Sequence, residues 1–129
     1  MNSWYVLVAA RAGHRCEYCR APESIFNIPF EVDHIHPRSL GGGDDDRNLA
    51  LACRSCNLAK SDHCNATVPE SGRIFHPRQD RWDDHFAVSP QMTIVGKTPV
   101  GRTTVELLRM NRLRALAARH SWKAIGLYP

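Results

Sequence analysis

Cys16-Glu17-Tyr18-Cys19 and Cys53-Arg54-Ser55-Cys56 bracket the stretch Glu31-Val32-Asp33-His34-Ile35-His36-Pro37, with Asn48 before the second cysteine pair and Asn57 directly after it. Two thiolates at CxxC spacing can face one ion, because the turn between them folds back on itself. A second pair completes a tetrahedron with metal–sulfur bonds of roughly 2.3 Å. The two pairs are separated by 33 residues. This doubled pattern reads as structural zinc, since a redox CxxC usually occurs once, at a helix start. Four sulfurs leave no position for water, so the zinc is expected to be architectural. The fifth cysteine, Cys64, is expected to stay free or to pack as a small hydrophobe.

The remaining composition narrows the class. A chain of 129 residues can bury a modest core, and a metal staple between loops adds to it. The formal charge is +4, which favours a polyanionic partner such as nucleic acid. No apolar run is long enough to span a membrane. Residues 1–10 lack the basic leader and apolar core of a signal peptide. Cysteine pairs without such a signal point to a reducing, cytoplasmic setting.

Local patterns predict the elements. Residues 3–13 suit a short helix stopped by Gly13. Residues 30–35 alternate as a half-exposed strand that Pro37 ends, and residues 48–52 form a short return strand. Residues 54–61 begin a helix, with Asp62 and His63 near its end. The result is a ββα unit carrying a zinc staple. Residues 65–73 read as a linker or exposed loop. Residues 86–88 and 92–95 flank Ser89-Pro90-Gln91 as a hairpin. Thr103 or Thr104 is expected to cap one long helix running to about Ser121. The fold class is α+β. The expected division is a zinc-stapled core over residues 1–64 and an extension over 65–129 that packs on it.

The clamped segment carries the chemistry. Hydrolysing a phosphodiester requires an activated water and charge relief at phosphorus. His34 is the best general base, because a neutral imidazole works near pH 7. Neighbours on an extended segment point to opposite faces, so Asp33 can hold a metal while His34 faces water. A hard divalent ion takes oxygen ligands. Asp33 offers one and the amide of Asn57 a second.

The pattern Cys16-x-x-Cys19, Asp33-His34-Ile35-x-Pro37, Gly42-Gly43, Asn48-Leu49-x-x-x-Cys53-x-x-Cys56-Asn57-x-x-Lys60 resembles the HNH endonucleases, the ββα-metal or His-Me finger nucleases. The resemblance covers residues 14–63, about 40% of the chain. It implies metal-dependent hydrolysis of DNA, leaving 5′-phosphate and 3′-hydroxyl ends. It also implies that Asp33 is a metal ligand, His34 the base, Asn48 a brace that orients the base, and Lys60 a phosphate contact. The third signature position, often His in that family, is Asn57 here. That favours Mg²⁺ or Mn²⁺ over zinc as the catalytic ion. His63 is the alternative ligand at that position. A non-catalytic zinc-ribbon that binds nucleic acid is the competing reading.

Other features rank lower. His36 could touch phosphate or assist the base. Gly41-Gly42-Gly43 with Asp44-Asp45-Asp46 reads as a flexible connector, since three acids repel phosphate. Arg102, Arg109, Arg112 and Arg119 fall in one sector of the expected long helix. With Arg54 and Arg78 they are candidate DNA contacts, or a solvated face. His76-Pro77-Arg78 with Arg81 and Trp82 is a second candidate surface, although Trp82 and Phe86 are also expected to pack into a small core. The chain is expected to be a monomer or weak dimer.

Overall fold

The computed structural model describes residues 3–61 and 73–129. The expectations for Asp62, His63, Cys64 and most of the 65–73 linker lie outside the described residues. The described chain is α+β: helix α1 (Tyr5–Arg11), strands β1 (Glu31–His34) and β2 (Leu49–Ala52), and helix α2 (Arg54–Lys60). There follow α3 (Trp82–His85), β3 (Phe86–Val88), β4 (Ile94–Gly96), α4 (Pro99–Leu107) and α5 (Leu113–Ala124). No helix among the described residues is long and apolar enough to cross a membrane.

β1 and β2 form an antiparallel pair with Glu31 opposite Ala52 and His34 opposite Leu49. All four residues of β2 are buried. That removes the usual alternation, because α1 and α2 both pack on the pair. α1 buries Val8 and Ala9. It gives way to Gly13 at a positive φ of 63°, a conformation that glycine adopts without a Cβ penalty. α2 is capped through sulfur: Cys53 Sγ accepts from the Cys56 amide at 3.5 Å.

The first cysteine turn is stitched onto the edge of β2. The Glu17 amide donates to Leu51 O at 2.8 Å, and Glu17 Oε2 accepts from the Leu51 amide at 2.8 Å. This pairing carries Cys16 and Cys19 toward Cys53 and Cys56. Glu23 fastens the same region. Its carboxylate accepts from Tyr5 Oη and the Phe30 amide and pairs with His14. Burial works against its ionisation, but these bonds prevail and hold it below the usual glutamate range.

The C-terminal hairpin forms where expected, with Phe86 opposite Gly96. The single long helix does not. Its cap is Thr98, whose hydroxyl accepts from the Gly101 amide at 3.0 Å, with Pro99 in the first turn. The helix then breaks between Leu107 and Leu113, with Arg109 at a φ of 50°. The cause is burial of both Leu108 and Met110. Two positions apart on a straight helix lie about 200° apart and cannot share one inward face. Asn111 fixes the break by accepting from the Ile94 amide and donating to Ile94 O, at 2.9 and 2.8 Å.

The extension packs on the cysteine-bearing region. Trp82 Nε1 donates to Tyr18 O at 2.8 Å, and Tyr128 Oη donates to Cys19 O at 2.8 Å. Trp82 and Phe86 sit with ring centroids 5.0 Å apart, and Phe75 lies edge-on to Phe86 at 5.2 Å.

Candidate active site and metal centre

The four sulfurs of Cys16, Cys19, Cys53 and Cys56 lie within 4.8 Å of one another, and all four residues are buried. Cys19 Sγ and Cys53 Sγ are 3.8 Å apart. A tetrahedron with bonds of about 2.3 Å has edges of about 3.8 Å, so the donor set fits a zinc ion in kind and spacing. Mutual hydrogen bonding in this cluster pushes the Cys19 and Cys56 thiols up and Cys53 down. Such crowding favours a cation that takes all four as thiolates. Among the described residues, no other group of three or more His, Cys, Asp or Glu ligand atoms converges in this way.

β1 sends its side chains to two faces. Glu31 and Asp33 face α2, and His34 faces the loop between the strands. Asn57 Nδ2 donates to Glu31 Oε2, and Arg54 pairs with Glu31 at 3.2 Å. Asp33 accepts from Tyr18 Oη at 2.7 Å and from Lys60 Nζ at 3.2 Å. Lys60 Nζ also donates to His34 O at 3.0 Å. Burial pushes the Asp33 carboxyl above its ordinary value, with the Lys60 ammonium pulling the other way. Burial, with Asp33 beside it, pushes the Tyr18 hydroxyl well up. The oxygen donors of Asp33 and Asn57 suit a hard divalent ion in kind. In this arrangement both Asp33 oxygens are engaged by internal donors, and Asn57 meets Glu31 in place of Asp33.

Lys60 is 1% exposed. It is therefore placed as the buried partner of Asp33 and not as a phosphate contact. Its burial was invisible at the sequence level, because nothing local marks which face of α2 lies against β1.

On the other face, His34 Nε2 lies 2.8 Å from Asp44 Oδ1. Arg38 Nη2 donates to the same oxygen at 2.6 Å, and Arg38 Nε approaches both that oxygen and His34 Nε2 at 3.2 Å. Arg38 first, and then His34, hold the Asp44 carboxyl below the usual carboxylate range. The loop read as a connector thus delivers a carboxylate to the imidazole. The missed signal was the run of acids itself, discounted for repelling phosphate.

Asn48 braces this loop. Its Oδ1 accepts from the His36 amide at 2.8 Å, and its Nδ2 donates to His36 O and Gly43 O at 3.0 and 2.8 Å. His36 turns to the loop, with Nε2 3.0 Å from Leu40 O. A Cβ at Gly42 would stand 1.8 Å from His36 O, so only glycine allows this close passage.

The candidate DNA contacts divide. Arg54 and Arg109 are exposed, and Arg112 is half-buried. Ser55, Leu58, Arg109 and Arg112 line one shallow depression beside α2, and Arg54 and Arg112 help line another. Arg78 pairs with Glu17 and is turned inward, its side chain 16% exposed. Arg119 is buried and donates to Met92 O and Asn111 Oδ1. The arginine sector dissolves because the helix that would carry it is broken.

Comparison with known proteins agrees with this geometry. The HNH endonuclease family model matches residues 16–63. A curated relative, "Septu protein PtuB" of Bacillus thuringiensis, is 28% identical over 107 residues, which cover 81% of this chain and 40% of that protein. The chain therefore spans about two-fifths of the length of the relative it matches. No solved structure matches it. The sulfur cluster, the ββα unit and the Asp-His pair on β1 all fall inside the segment, residues 16–63, that the HNH endonuclease family model matches.

Proposed function

We propose that this chain hydrolyses DNA phosphodiester bonds, with His34 as general base. The observation that carries the reading is the placement of His34 at the end of β1. Its side chain is 15% exposed, and no hydrogen bond among the described residues engages Nδ1. A water at Nδ1 loses its proton to the imidazole as its oxygen attacks phosphorus; the bond from phosphorus to the 3′ oxygen breaks and that oxygen takes a proton from solvent, leaving a 5′-phosphate and a 3′-hydroxyl. A divalent ion, Mg²⁺ or Mn²⁺, would supply charge relief on the phosphate and the departing oxygen; Asn57 would offer it an amide oxygen, and Asp33 a carboxylate oxygen once released from Tyr18 or Lys60. Asn48 holds the loop beneath the base. Arg54 at the start of α2, with Arg109 and Arg112 beside that helix, forms the proposed phosphate track. Tyr18 and Lys60 keep Asp33 in place within the core.

Plasmid nicking in Mg²⁺ or Mn²⁺ tests this. The native chain should convert supercoiled to open-circular DNA. His34→Ala should lose at least about 100-fold in rate, as loss of a general base does, while keeping its circular dichroism spectrum and its DNA affinity. A native chain that binds DNA without cutting it would instead be the zinc-ribbon binding module.

A further inference from the structure

We propose that Asp44 is a positioning residue that fixes the tautomer of His34. The proposal rests on His34 being the base, as argued above. His34 Nε2 has two neighbours, Asp44 Oδ1 at 2.8 Å and Arg38 Nε at 3.2 Å. They make opposite demands. A carboxylate only accepts, so it requires a proton on Nε2; a guanidinium only donates, so it requires a bare nitrogen.

The geometry decides between them. The Asp44 contact is the shorter, and Arg38 has another acceptor, since both its Nε and its Nη2 reach Asp44 Oδ1. Arg38 therefore spends its donors on the carboxylate, and Nε2 carries the proton. A neutral imidazole protonated at Nε2 is bare at Nδ1, the nitrogen that must take a proton from water. The dyad does for His34 what a carboxylate partner does for any imidazole base: it selects the tautomer and limits rotation of the ring.

The loop is built to hold Asp44 there. Asn48 ties Gly43 O, the residue before Asp44, to the His36 backbone. The neighbouring Asp45 is occupied elsewhere, its carboxylate accepting from the Arg47 amide at 2.8 Å. Asp46 makes no contact with His34, so it serves as a control of equal charge.

The test uses the full chain and reads the ring directly. Nitrogen-15 NMR of His34, at a pH where the ring is neutral, should show the Nε2–H form dominant in the native protein. Asp44→Ala should move the signals toward a mixture of tautomers and lower kcat on plasmid DNA by about 10- to 100-fold, with KM nearly unchanged. Asp44→Asn, whose amide oxygen still accepts from Nε2–H, should retain most of the tautomer preference and recover part of kcat. Asp46→Ala should change neither reading. The proposal is overturned if Asp44→Ala leaves the tautomer as in the native chain, or if Asp46→Ala reproduces its loss of kcat. The tautomer reading stands whether or not the chain cuts DNA, so failure here is distinct from failure of the nuclease assignment.

Discussion

At the residue scale, β1 divides two tasks between adjacent side chains. Asp33 faces inward to Tyr18 and Lys60, and His34 faces the loop and Asp44. That division was legible in the sequence, because alternation along an extended segment is fixed by the backbone. The partners were not legible. Lys60 lies 27 residues from Asp33, and the register of α2 against β1 selects it. The Asp33–Lys60 pair is buried on both sides. Lys60→Met should leave a buried carboxylate without its counter-ion, held by Tyr18 alone, and cost about 3–5 kcal/mol, as measured by urea denaturation. A loss under about 1 kcal/mol would mean that the ammonium contributes little to holding Asp33.

At the element scale, the ββα unit followed from the alternation over residues 30–35, the stop at Pro37 and the cysteines at the head of α2. Those signals are local and agree with one another. The C-terminal helices did not follow, because the helical pattern over residues 104–121 runs through a break that tertiary packing imposes. Leu108 and Met110 both turn inward, and Asn111 pairs with the edge of β4. A backbone-pairing asparagine has no signature that distinguishes it from a solvated one. Asn111→Ala removes both bonds to Ile94 and the acceptor for Arg119 Nη2. It should cost about 2–3 kcal/mol while leaving the zinc content unchanged. Stability within about 0.5 kcal/mol of the native chain would show that packing of Leu108 and Met110 alone sets the break.

At the scale of the whole molecule, sulfur chemistry joins segments that are distant in sequence. The Glu17–Leu51 stitch brings the first cysteine turn to the second, and the Tyr128 and Trp82 contacts press the extension onto the first. The two cysteine pairs were the clearest signal in the sequence, because their spacing constrains geometry directly. The way the extension covers them was not readable, since its anchors are carbonyls of Tyr18 and Cys19 that carry no sequence identity. The same sulfur frame positions β1, and so both Asp33 and His34. Metal analysis of the purified chain, paired with thermal unfolding before and after chelation, tests this frame most directly. One tightly held zinc per chain, whose removal collapses the cooperative transition, is the predicted result. A chain that is free of zinc and unfolds with the same midpoint in chelator would contradict it.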